Sequence, residues 1–128
     1  MMDRIDVPLR WLLSLVMITA GVFHLADPTP FVRIVPAWLP APLLLVYVSG
    51  AAEIAGGVGL AIPRLRRAAA WGLVALYVAV FPANVNQAMH HIQPVSSTVP
   101  EWIFWARLPL QALLIAIAWR YTRPARAP

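Results

Sequence analysis

Residues 43–62 form an apolar run that contains one ionisable side chain, Glu53. A helix needs about 20 such residues to cross the roughly 30 Å hydrocarbon core of a bilayer, so this run is long enough. Residues three and four positions away share a helical face with Glu53. Those neighbours are Ser49, Gly50, Gly56 and Gly57, all of them small. The opposite face carries Leu44, Val48, Val58 and Ile62, side chains suited to lipid. A face of nearly bare backbone invites other helices to approach closely, which makes the four small residues the expected helix-packing positions. A carboxylate at mid-depth costs about 2.5–3.5 kcal/mol on insertion scales, so Glu53 should face protein or water and have a partner there.

Three further apolar runs accompany it, giving expected spans at 9–26, 42–62, 68–89 and 102–120 in a single domain covering residues 1–128. Of the 128 residues 61% are hydrophobic and 12% charged, about half the charged fraction of a soluble domain. The expected class is therefore all-α, an integral membrane four-helix bundle. The first run is read as a retained anchor, because Asp3 and Asp6 precede it and no small-x-small cleavage site follows. The net charge of +5 is not a nucleic-acid signal: all ten basic residues are arginine, and most stand at the ends of apolar runs. Cysteine is absent, which excludes disulfide, iron–sulfur and zinc-thiolate chemistry.

Arg4, Arg10, Arg64, Arg66, Arg67, Arg120, Arg123 and Arg126 fall on one side of this arrangement, and Arg33 on the other, with Arg107 just inside the fourth span. The positive-inside rule then puts both termini and the 64–67 loop in the cytoplasm of a multi-pass cell-membrane protein, a bacterial inner membrane being the expected setting. The 27–42 connector holds five prolines, too many for a continuous helix, yet Phe31, Ile34, Val35, Trp38 and Leu39 are too apolar for a solvated loop. It reads either as a short amphipathic segment lying in the interface and anchored by Trp38, or as a plain connector with an apolar face.

The same topology places the polar residues. Glu53 lies near the midplane, Gln111 somewhat outward, and His24, Asn84 and Arg107 nearer the outer surface. Tyr77, Asn84, Gln87 and His91 share one helical stripe, and Arg107 and Gln111 are one turn apart. An outward-opening polar pocket formed by Glu53, Arg107, Gln111, Asn84, Gln87, His24 and Tyr77 follows. Pro82 and Pro109 should bend the third and fourth spans, Pro82 releasing the carbonyl of Val78. Glu53 could take up a proton or bind a ligand, or it could pair with Arg107, directly or through Gln111, and hold the bundle together. The pairing is the expected outcome, because a buried charge needs a partner. Asn84 and Gln111 can donate to a quinone carbonyl, although holding helices together is the commoner role of buried amides. His24, His90 and His91 fall near one surface, but no metal or haem spacing is evident, and no nucleophile–base pair stands at a recognisable separation. No catalytic residue, metal or obligatory cofactor is assigned.

Together, Gly21-Val22-Phe23-His24, the 34–40 segment Ile-Val-Pro-Ala-Trp-Leu-Pro, Ser49-Gly50-x-x-Glu53-x-x-x-Gly57, Phe81-Pro82-Ala83-Asn84 and Arg107-Leu108-Pro109-Leu110-Gln111 resemble the DoxX-like membrane proteins. The resemblance covers nearly the whole chain. It implies a four-helix membrane bundle in a superfamily that includes subunits linked to thiosulfate oxidation by quinone, and a branch resembling the nicotinic-receptor chaperone NACHO. The expected function is a non-catalytic, chaperone-like membrane helper that binds another membrane protein or a lipid-like ligand. It would use its small-residue faces and the pocket around Glu53, and a homodimer is compatible with such faces. The alternative is a quinone-associated subunit of an electron-transfer complex.

Overall fold

The computed structural model describes residues 4–94 and 98–123, and Arg126 and part of the second connector lie outside them. Among the described residues the chain is all-helical: α1 (Asp6–Ala26), α2 (Thr29–Val32), α3 (Pro42–Ala61), α4 (Arg66–His90) and α5 (Glu101–Arg120). The four long helices, of 21, 20, 25 and 20 residues, are long and apolar enough to cross a membrane. α1 starts three residues earlier than the apolar run suggested, at Asp6. A carboxylate in a first turn is favoured by the helix dipole, and Asp6 also pairs with Arg120. Proline stops α1 and α3 at Pro28 and Pro63, whereas α4 ends where His91 turns into the left-handed region (φ 53°) and its N–H closes on Gln87. Pro82 and Pro109 sit inside continuous helices.

α3 is the most buried of the four long helices and lies between α1 and α4. Its glycines set those distances. A Cβ on Gly21 would stand 2.5 Å from the carbonyl oxygen of Gly50, and one on Gly57 would stand 2.8 Å from the carbonyl oxygen of Ser14. Backbone therefore rests on backbone along an antiparallel α1–α3 pair, which Ser14 Oγ closes by donating to Gly57 O at 2.5 Å. On the α4 side the space at Gly56 is filled by Leu73, and that at Gly59 by Ala69.

The apolar core lies towards one end, where Leu13, Met17, Leu60, Ala70, Leu73, Tyr77, Ala118 and Tyr121 form a buried cluster. The arginine-rich segments fasten the same end. Arg67 Nε donates to Thr122 O at 2.9 Å, Arg66 Nε to Leu60 O at 3.3 Å, and Tyr121 Oη to Asp6 O at 2.7 Å. All six tryptophans are exposed. Trp11, Trp71 and Trp119 girdle the arginine-rich end, the latter two edge to face, and Trp38, Trp102 and Trp105 girdle the other. Tryptophan at both ends of apolar helices is the pattern of a chain with two membrane–water boundaries. The 27–42 connector contains one helical turn, α2, followed by bends that bury Ile34 and leave Trp38 outside.

Gly57→Leu should lower unfolding stability in detergent by at least about 1–3 kcal/mol, since the added side chain has only backbone and Ile18 to displace. Gly72, around which a Cβ meets nothing within 4 Å, is the control. Gly72→Ala should be neutral or stabilising by about 0.5–1 kcal/mol. Equal losses from the two substitutions would contradict close approach at Gly57.

Candidate functional site

Away from the packed end, the four long helices enclose a cavity of about 560 Å³, roofed by the connector through Phe31, Ile34, Val35, Pro36 and Leu39. Most of its wall is aliphatic. Of the expected pocket residues, Glu53, His24, Tyr77, Asn84, Arg107 and Gln111 all line it, and so does Ser49. Gln87 lies behind the wall, and Gly50, Gly56 and Gly57 are used in packing α3 against α1 and α4. His90 and His91 turn elsewhere: both are exposed, and His91 Nδ1 faces Glu101 at 3.1 Å.

The α4–α5 wall is held by side-chain amides. Gln111 Nε2 donates to the carbonyl of Tyr77 at 2.6 Å, and Asn84 Nδ2 donates to Gln111 Oε1. The carbonyl reached is thus one residue before Val78, the one expected to be freed by Pro82. Tyr77 Oη in turn donates to Met17 Sδ, which joins α4 to α1. Asn86 Nδ2 donates to Ile34 O at 2.9 Å and holds the roof. These bonds realise the helix-binding role open to Asn84 and Gln111.

Glu53 departs from expectation. Arg107 does not pair with it; its guanidinium donates instead to Gln87 Oε1 at 2.6 Å, and Gln87 passes its own amide to Ile92 O. Gln87 is on the helix that faces Arg107, whereas Glu53 projects from α3, and sequence spacing alone could not rank those partners. Glu53 is 4% exposed, and its Oε2 makes no hydrogen bond among the described residues. The nearest basic group is His24, whose Nδ1 lies 3.6 Å from Oε2, beyond hydrogen-bond reach. That nitrogen sits 2.6 Å from the carbonyl of Ala20, which can only accept, so Nδ1 carries the proton and spends it there. Phe31 stacks on the imidazole, ring centroids 3.8 Å apart, and fixes its plane.

The site is thus an apolar chamber with one buried acceptor left unmatched. No group of three or more metal-ligating side chains occurs among the described residues. Sequence reading missed the roof as part of the site; its only signal was apolar residues among the prolines of the connector. A double-mutant cycle on Arg107→Met and Gln87→Leu should give a coupling energy of about 0.5–3 kcal/mol. The cycle on Arg107→Met and Glu53→Gln should give less. The reverse order would restore the Glu53–Arg107 pair.

No curated protein and no solved structure matches the chain. One protein family does, over residues 13–122, and it is described as a domain of unknown function (DUF8561). By that match, which takes in α3, α4, α5, most of α1 and every residue lining the cavity, the chain belongs to the DUF8561 family.

Proposed function

We propose that the chain is a DoxX-like, non-catalytic membrane helper that crosses the cell membrane four times and receives an amphipathic, bilayer-derived molecule in the cavity around Glu53. The carrying observation is the pairing of that aliphatic chamber with a buried carboxylate oxygen that has no partner. A polar atom left unmatched in an apolar setting costs about 1–3 kcal/mol, and a ligand that supplies the missing bond recovers it. A volume of 560 Å³ falls within the roughly 300–1,000 Å³ range of small-molecule sites.

The helices would form an up-and-down bundle with both termini cytoplasmic. Arginine clustering at the ends of α1, α4 and α5 supports that orientation, and the two tryptophan girdles support a spanning chain. The cavity would then open towards the outer side. Because Gly50, Gly56 and Gly57 are occupied within the chain, a membrane-protein partner or a second copy would contact the exposed faces of α4 and α5 rather than the glycines. The quinone reading draws less support: of the amides that would grip a quinone carbonyl, Asn84 already donates to Gln111 Oε1 and Gln111 to the carbonyl of Tyr77.

Native mass spectrometry on protein released from its own membranes tests the proposal. The wild type should carry one small amphiphile per chain, and Ala83→Phe, which fills the cavity from α4, should lose it while melting at or above the wild-type temperature. Empty wild-type protein, or equal occupancy in both, would refute it. A bound quinone would favour the electron-transfer alternative.

A further inference from the structure

The helices around the cavity are unevenly joined. α1 and α5 meet at the arginine-rich end, where Tyr121 and Arg120 reach Asp6, and have little direct contact beyond it. Val16 on α1 and Leu110 on α5 each line the cavity and are 40% and 52% exposed. Both are apolar, as are their outward neighbours Leu12, Leu15 and Leu113. A path bounded by such side chains on two apolar helices is wetted by lipid rather than by water.

Resting on the reading of the cavity as a ligand site, we infer that its occupant enters sideways from the bilayer between α1 and α5 and is a single-chain amphiphile whose head donates a hydrogen bond, through an ammonium or hydroxyl group, to Glu53. The direction of the bond follows from what each polar group already does. Glu53 Oε2 is buried with no hydrogen-bond partner among the described residues, and as a carboxylate it can only accept. His24 spends its Nδ1 proton on Ala20, Gln111 spends its amide on Tyr77 and its oxygen on Asn84, and Arg107 is turned to Gln87. At Glu53 the unmet demand is therefore for a donor, while Arg107 keeps guanidinium N–H groups that Gln87 does not use. A carboxylate head would set acceptor against acceptor at Glu53, and an ammonium head meets the demand most fully because it donates and also compensates a carboxylate charge. The apolar body follows from the aliphatic wall, and the single chain from a volume that suits a drug-sized molecule rather than a whole two-chain phospholipid.

The test uses the full chain in phosphatidylcholine nanodiscs, whose headgroup has no hydrogen-bond donor, and three probes of equal chain length: dodecylamine, dodecan-1-ol and dodecanoic acid. Thermal unfolding followed against probe concentration gives apparent affinities. The amine and the alcohol should bind, the amine roughly tenfold or more tighter than the acid, the scale of one charge-assisted hydrogen bond. Glu53→Gln, which keeps an acceptor and the shape, should erase most of the advantage of the amine over the alcohol. A Val16→Cys, Leu110→Cys double variant labelled with a bulky maleimide should slow uptake without changing the melting temperature of the probe-free protein. Equal binding of all three probes, or preference for the acid, would overturn the donor assignment while leaving the cavity a ligand site. Binding of none would overturn the cavity reading as well.

Discussion

Close contact between the backbones of α1 and α3 is the constraint on which the other features depend. Gly21, Gly50 and Gly57 let the two helices meet at a distance that a Cβ would forbid, and Ser14 adds a hydrogen bond across the seam. In lipid there is no water to drive apolar side chains together, so contacts of this kind, rather than burial alone, hold helices in place. Once α1 is fixed on α3, the bulky side chains Leu13, Met17, Leu60 and Leu73 collect at the arginine-rich end and pack there. Beyond that cluster the same helices line the cavity. Its helices are spaced by the amides of α4 and α5 and by the connector that roofs them.

The cavity is a consequence of that uneven packing, and Glu53 is where the consequence acquires chemistry. The Gly50 and Gly57 packing that brings α1 near also carries Glu53 to the seam, 3.6 Å from His24 and unpaired with Arg107. An ion pair with Arg107 would have closed the site. The Arg107–Gln87 bond instead leaves the guanidinium matched to a neutral acceptor and the buried Glu53 Oε2 without a hydrogen-bond partner among the described residues. Such an arrangement sacrifices some stability for an unfilled position, and sites that break the rule of satisfied buried polar groups are often those that bind something.

Apolar length and arginine placement made the number of long helices readable, and the small residues around Glu53 made the tight face of α3 readable. Both are one-dimensional signals, set by spacing along a single helix. Which helix meets that face was not readable, because Gly21 on α1 and Leu73 on α4 become partners only when the helices pack. The site was legible in its membership, since polar residues in apolar spans stand out, but not in its pairing. Arg107 was expected on Glu53, directly or through Gln111, and the choice of Gln87 rests on the antiparallel register of α4 and α5. The roof was hardest to foresee. Phe31 and Ile34 follow neither helical nor strand periodicity, and their role depends on how Pro28 and Pro36 direct the connector back over the helix ends.

The central claim is that an open chamber with an unmatched Glu53 is the native state in a membrane, and a crystal structure grown from a mesophase that retains native lipid tests it most directly. The expected result is elongated density between α1 and α5, ending within hydrogen-bond distance of Glu53 Oε2, with Arg107 still bonded to Gln87. A chamber closed by contact between α1 and α5, with Glu53 paired to Arg107, would contradict it.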